Sequence, residues 1–285
     1  MDEQLHYGDD YKFIPVTSIL SGVGKNVTTD LYCYTIQVVN VCFIGDPNNS
    51  GEWTLVDAGM PKSANAIVDE AENRFGRNAR PNGILLTHGH FDHVGAIVEL
   101  VQHWNVPVDV HEEEVPYLTG EKSYPDPDSS IEGLVARMSP YFPKEPIQIG
   151  PYVQPLPKDG SIPILSEWKW IHTPGHSPGH ISLFRARDRA LIAGDALVTV
   201  KQESLFKVLV QEKEISGPPK YFTTNWKLAK ESVTKLAYLR PSVVVCGHGV
   251  PMSGEELERG LAELVERFDE IAIPKDGRYV EGFEN

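Results

Sequence analysis

At 285 residues, 41% hydrophobic and 23% charged, the chain is long enough to bury a large core without disulfide or metal staples, and its composition excludes a mostly disordered chain, a collagen and a coiled coil. Lys and Arg number 26 against 40 Asp and Glu, a net charge of −14 that repels phosphate backbones and anionic lipid, so neither nucleic acid nor a membrane is an expected partner. No run reaches the ~18 consecutive apolar residues that span a bilayer, the first residues read as no leader segment, and the cysteines (Cys33, Cys42, Cys246) are odd in number, so a cytoplasmic protein with reduced thiols is expected.

Strands are predicted at 11–15, along the run 31–44 and at 53–57, with the Pro-, Asn- and Gly-containing stretch 46–51 as a turn. Ala64, Ile67, Val68, Ala71 and Phe75 then repeat at helical spacing up to Gly76, and 83–87 reads as a short apolar strand. A helix over 94–104 and a strand at 107–111 follow. The second half repeats the order: strands around 161–171, 180–186 and 190–193, a helix from about 224 to 239, a strand at 242–246 and a last helix. Ser253 and Glu256 have capping-box spacing ahead of that helix, and Leu257, Leu261, Leu264, Val265 and Phe268 make one apolar face. No Gly- or Ser-rich linker divides the halves, so one α/β domain over 1–285 is expected, with two packed sheets and helices outside each. Two insertions fall outside the repeat, at about 114–150 and 196–222. Ten prolines between Pro116 and Pro163 make most of the first irregular or built of short helices, and such long segments commonly serve as lids or binding loops.

The informative stretch is 87–93, where His88, His90, Asp92 and His93 fall between an apolar strand and a helix. A polar turn has no need of three imidazoles, whereas metal binding accounts for them: imidazole and carboxylate suit Zn, Fe, Ni or Mn, and the lack of cysteine argues against a thiolate structural zinc site. His88 and His90, two apart, project to the same side, while Asp92 and His93 come round from the start of the helix, so one loop has the reach to serve two neighbouring ions. Three further candidates follow apolar strands and are each preceded by glycine, which lets the backbone turn sharply: His176, Asp195 and His248. All seven are expected at one edge of the fold.

The order of these motifs, from Asp57 through the run 88–93 to His176, Asp195 and His248, spread over about 190 residues, resembles the metallo-β-lactamase-fold hydrolases. The resemblance implies an αββα sandwich of two mixed β-sheets flanked by helices, with two divalent metal ions at one edge of the sheets. It places His88, His90 and His176 on one ion and Asp92, His93 and His248 on the other, with Asp195 bridging. Asp57 would stand behind the ligands and orient the loop. Zinc is the first expectation for the metal, with iron, manganese and nickel open. His180, in a near-copy of the triplet that holds His176, is not placed as a ligand by the family pattern; His6, His103, His111 and His172 have no such role either, and Cys246 is read as core.

Two such ions supply hydroxide near neutral pH, so hydrolysis of an ester, thioester or lactone is expected, with Asp92 the nearest carboxylate for proton transfer. Branches of the family narrow this. β-Lactamases of this fold commonly lack a bridging carboxylate where Asp195 stands. Glyoxalase II carries basic glutathione-binding residues near the last histidine, where this chain has Gly249, Val250, Pro251 and Met252; acyl-homoserine lactonases carry a tyrosine where this chain has Val198. Tyrosines of the insertions stay open as substitutes for that phenol. Six acids against three bases at 114–150 disfavour a phosphodiester, while Tyr117, Tyr124, Tyr141, Phe142, Phe206, Tyr221, Phe222 and Trp226 suit a small-molecule substrate with an apolar arm, or else pack the insertions. Alternatives are a mononuclear iron oxygenase resembling persulfide dioxygenases, using His88, His176 and Asp195, and a non-catalytic sensor on the same fold. A homodimer is left open.

Overall fold

The computed structural model describes residues 5–49 and 51–280; Ser50, within the predicted 46–51 turn, lies outside them. The described chain divides into two compact units. The first runs to Tyr124 and takes in Pro143–Lys158 and Pro163–Leu165; the second holds Pro125–Phe142, Asp159–Ile162 and the chain from Ser166 onward.

The first unit is built on a seven-stranded mixed sheet whose strands lie in chain order: β1 (Gly24–Asn26), β2 (Leu31–Ile36), β3 (Val39–Ile44), β4 (Thr54–Val56), β5 (Ile84–Leu85), β6 (Val108–Val110) and β7 (Val153–Pro155). β1 to β4 pair antiparallel and β4 to β7 parallel. The apolar run 31–44 is a hairpin rather than one strand. Ile36 pairs with Val39, and Gln37 takes a left-handed φ of 55° in the two-residue turn, a geometry no hydrophobic pattern announces. The segment 11–15 forms no strand, because the Gln37 side-chain amide donates to the carbonyls of Ile14 (2.7 Å) and Val16 (3.0 Å) in place of a ladder. Helix α1 (Ala64–Phe75) buries Ile67 and Ala71, and Phe75 stacks on Trp53 at 4.8 Å. Helix α2 (Ile97–Trp104) starts three residues later than its apolar pattern suggests, since His93 and Val94 are held in a turn by N–H bonds to the His90 carbonyl. Helix α3 (Val115–Leu118) is one of the short helices expected of the proline-rich insertion.

One buried acid in this sheet has no mechanistic use. Asp109 on β6 is 3% exposed, its Oδ2 meets no hydrogen-bond donor among the described residues, and burial pushes its carboxyl from 3.8 up to about 6. Between those two values the folded protein keeps a proton that the unfolded chain has released. Stability therefore falls as pH rises from about 4 to 6, by about 3 kcal/mol in total, and stays lowered above. Asp109→Asn should abolish that slope and raise stability at pH 7 by about 1–3 kcal/mol, read from urea unfolding at pH 4, 5, 6 and 7; identical curves for the two proteins at every pH would refute it.

The second unit carries α4 (Leu134–Met138), β8 (Trp168–His172), β9 (Ile181–Arg185), β10 (Ala190–Gly194), α5 (Leu205–Val210), α6 (Trp226–Tyr238), β11 (Val243–Cys246), β12 (Met252–Ser253), α7 (Gly254–Glu266) and α8 (Phe268–Ile271). Its five strands lie in the order β12-β11-β10-β9-β8, parallel only between β10 and β11, the pair that α6 connects. Leu191, Val233, Leu236, Val244, Cys246, Leu257, Leu261 and Leu264 share its core, so Cys246 packs as the sequence suggests. Of the predicted strand 161–171 only the end forms; Ser161 contributes a single bridge to Lys169. The capping box is not made either. Ser253 precedes α7, but its backbone pairs with Val243 on β11 and Gly254 turns the chain at φ 66°, so the hydroxyl makes no cap bond. Among the described residues no helix is long and apolar enough to cross a membrane, and no disulfide is formed.

Candidate functional site

Each unit presents one cluster of ligand-type residues. In the first, the chain leaves β5, passes Leu86 and Thr87, and turns through 88–94. His88, His90, Asp92 and His93 are all buried, and the His88 ring lies 4.6 Å from that of His90 and 4.2 Å from that of His93. Three imidazoles packed together out of water are costly unless something holds them. Asp57 supplies part of the hold. Its Oδ1 accepts the Thr87 N–H (2.8 Å), and its Oδ2 accepts the Thr87 hydroxyl (2.9 Å) and lies 2.8 Å from His93 Nδ1. With its one proton given to Asp57, the Thr87 hydroxyl accepts from His88 Nδ1 at 3.0 Å. Both rings thereby carry their proton on Nδ1, which leaves the Nε2 lone pair as the basic one, the arrangement seen in carboxylate–histidine–metal systems. Asp57 itself sits at a left-handed φ of 62° while 3% exposed.

A second support of this loop lies in the proline-rich insertion. The Gly89 N–H, between His88 and His90, donates to Glu114 Oε2 (3.0 Å) and to the Tyr124 hydroxyl (2.9 Å); Tyr124 in turn donates to Glu114. The Tyr124 ring lies 4.4 Å from that of His90 and is backed by Tyr117, stacked at 3.9 Å. Burial and the Glu114 carboxylate hold the Tyr124 phenol protonated far beyond the ordinary range. Its hydroxyl is engaged with the loop backbone and with Glu114. Nothing in the spacing of Glu114 marks it in the sequence, since its partner in the loop is a main-chain amide 25 residues away.

In the second unit three strand-end residues converge. Asp195 Oδ2 lies 3.6 Å from His176 Nε2 and 3.3 Å from His248 Nε2, all three side chains being almost wholly buried. Of the glycines that precede them, Gly175 (φ 128°) and Gly194 (φ 54°) take backbone conformations that favour glycine, whereas Gly247 does not. His176 Nδ1 lies 3.3 Å from the Thr223 hydroxyl, which donates to the Pro219 carbonyl and so accepts from the ring. His180 is buried and does not project as a ligand: its Nε2 accepts the Asp195 backbone N–H at 2.9 Å and its Nδ1 meets the Thr173 hydroxyl at 2.9 Å. The copied triplet thus holds the main chain under Asp195. Val198 is buried and bridges to Ser216. Phe142, Tyr221 and Phe222 cluster with ring centroids 5.0–6.1 Å apart, and Phe222 meets the His176 ring edge-on at 6.4 Å. Trp226 belongs to the core, while Tyr141 and Phe206 are exposed.

Of the other histidines, His111 caps the 112–114 turn through Nδ1, His172 Nε2 lies 2.8 Å from the Pro178 carbonyl, His103 lies in the last turn of α2 and His6 pairs with Gln148.

A fold of two mixed sheets with helices, carrying buried His/Asp clusters at strand ends, is that of a metal-dependent hydrolase. The chain matches the metallo-beta-lactamase superfamily over residues 22–248 and belongs to it. It is 50% identical over 261 residues to the probable metallo-hydrolase YflN of Bacillus subtilis (strain 168), covering 91% of this chain and 98% of that protein. It is 30% identical over 203 residues to the hydroxyacylglutathione hydrolase of Pectobacterium atrosepticum, covering 70% of this chain and 57% of that protein. The solved structure of BJP-1, a subclass B3 metallo-beta-lactamase of Bradyrhizobium japonicum, superposes with a TM-score of 0.60 at 19% identity, covering 90% and 94% of the two chains, which shows the common fold. The expected fold class and hydrolase class are therefore borne out. The His/Asp clusters and the family together imply divalent metal.

Proposed function

We propose that His88, His90 and His176 hold one divalent ion and Asp92, His93 and His248 a second, with Asp195 between them, and that the protein hydrolyses a carbonyl ester, lactone or thioester bearing an apolar arm. The observation that carries this reading is the single Asp195 oxygen approached by both His176 and His248, the disposition a bridging carboxylate needs. The donor set fits, since neutral imidazoles whose Nδ1 is held by Asp57, Thr87 or Thr223 offer Nε2 to a metal. Two such ions, zinc in our reading, supply a hydroxide near neutral pH and polarise the carbonyl oxygen when bound.

The chain's own groups do the rest. Asp92 accepts a proton and returns it to the departing alkoxide or thiolate. Phe142, Tyr221 and Phe222, with Phe222 against His176, receive the apolar arm. The acid-rich insertion and the net charge of −14 discourage phosphodiesters.

Elemental analysis of purified protein, paired with a panel of lactones, thioesters, alkyl esters, nitrocefin and bis-nitrophenyl phosphate, tests the reading. About two equivalents of metal per chain are expected, with kcat/KM highest on a carbonyl ester, lactone or thioester. A higher kcat/KM on the phosphodiester than on every carbonyl substrate would overturn it, and a single iron with oxygen uptake on a persulfide would replace it by the oxygenase reading.

A further inference from the structure

In the first unit a strap, residues 6–11, is knit on one side to the segment 143–148. The His6 N–H donates to the Gln148 carbonyl at 3.2 Å and the Gln148 N–H returns to the His6 carbonyl at 2.8 Å. Asp10 Oδ2 accepts the N–H groups of Lys144 (2.7 Å) and Glu145 (3.2 Å). Gly8 permits the close approach, since a Cβ there would stand 2.4 Å from Glu145 Cβ. Between these anchors Tyr7 and Tyr11 stack ring on ring at 3.7 Å.

On its other side the strap meets the chain that leaves the 88–93 loop. The Tyr11 hydroxyl donates to the Gly95 carbonyl at 2.8 Å and accepts the Lys62 N–H at 3.1 Å. The Tyr7 hydroxyl donates to the Glu99 carboxylate and accepts the Val98 N–H at 3.1 Å. Val98 lies in the first turn of α2, where main-chain N–H groups have no partner inside the helix. The N-cap residue is Ala96, whose methyl group cannot accept a bond. A hydroxyl from 91 residues upstream does the capping instead.

The same exit segment is held from behind by the turn after Asp57. Ala58 N–H donates to the His93 carbonyl (2.6 Å) and Gly95 N–H to the Gly59 carbonyl (2.8 Å), and a Cβ on Gly95 would stand 2.3 Å from the Met60 carbonyl carbon. The main chain at 93–95 is therefore fixed between two walls, and the cavity between strap and loop measures about 20 Å³, room for one water. The strap reaches the loop's entry as well. The Lys144 carbonyl accepts the Tyr124 N–H at 3.0 Å, and the Tyr124 hydroxyl accepts the Gly89 N–H at 2.9 Å. One short piece of chain thus bears on both ends of the loop that carries His88, His90, Asp92 and His93. We propose that Tyr7 and Tyr11 are positioning residues for this loop, acting through Gly95 and Val98 on the placement of Asp92 and His93. The assignment deepens the hydrolase reading and rests on it for the loop's role as a metal holder.

Tyr7→Phe, Tyr11→Phe and the double variant keep the stacked rings and remove the hydroxyls, while Leu264→Ala, in the core of the second unit, lowers stability away from the loop. In metal-free full chain, hydrogen exchange of the backbone amides at 89–99, relative to those of β2 and β3, should quicken by about tenfold or more in the double variant. By chelator competition, at least one equivalent of zinc should be held about tenfold or more weakly in Tyr11→Phe, the usual effect of removing a group that orients metal ligands. Leu264→Ala should change neither quantity. An unchanged exchange ratio in the double variant, zinc held as tightly as in wild type, or the same changes in Leu264→Ala would overturn the assignment. Faster loop exchange and weaker zinc in a protein that binds a single equivalent would uphold it and overturn the two-metal reading instead.

Discussion

Asp195→Ala should lose metal from both positions and lower kcat/KM by at least ~10³, because several kcal/mol of transition-state stabilisation disappear with the ions. The substitution is a clean one. The main-chain N–H of residue 195, held by His180 Nε2 at 2.9 Å, is unaffected by removal of the carboxylate, so the turn after β10 keeps its anchor. What goes is the oxygen that His176 and His248 both approach. His248→Ala is the control: it should empty mainly the second position and leave about one equivalent of metal. Metal content by elemental analysis after gel filtration, with activity on the best carbonyl substrate, distinguishes them. If Asp195→Ala retains two equivalents and full activity, Asp195 does not bridge.

The second large effect concerns proton transfer. Asp92→Asn should lower kcat on alkyl esters by about 10² to 10⁴ in metal-saturated enzyme, the range general acid–base assistance usually supplies. The amide matches the carboxylate in shape and retains an oxygen for weak coordination, but it cannot accept and return a proton. Nitrophenolate departs without protonation, so the penalty should shrink sharply on nitrophenyl esters of the same acyl group. Asp92 is buried beside the other residues of the 88–93 loop, so a loss of metal must be measured in the same samples. Equal losses on alkyl and nitrophenyl esters would leave Asp92 as a ligand only.

Much of the fold and of the candidate site is legible in the sequence, for identifiable reasons. The run 88–93 has a residue content that no packing argument produces, and His176, Asp195 and His248 each follow an apolar strand, so chain order alone marks them as candidates. Helices α1 and α6 came out within about two residues because their buried faces, such as Ile67 and Ala71 or Ala229, Val233 and Leu236, repeat at helical spacing. What stayed hidden was decided by single long-range bonds. The hairpin in 31–44 turns at Gln37 and Val38, neither a turn residue by habit, and the capping box failed because Ser253 had already been taken into the sheet. Glu114, Tyr124, Thr223 and His180 act on neighbours through one backbone or ring atom each, contacts that leave no periodicity to read. Of these, His180 stands out in the sequence for its copied triplet, yet only its Nε2 bond shows what it holds.

Asp57 sets a backbone cost against the hydrogen bonds it makes. A buried, non-glycine residue held at a φ of 62° gives up on the order of 1 kcal/mol of backbone energy. Glycine is relaxed in that conformation and asparagine visits it readily, but each buried Thr87 or His93 donor left without its acceptor costs about 1–3 kcal/mol, more than the strain relieved. Glycine removes the anchor shared by Thr87 and His93, and asparagine replaces one carboxylate oxygen with a group that repels their donors. Selection for heat tolerance and selection for turnover should thus both keep the aspartate, and Asp57→Gly should lower the thermal midpoint together with activity.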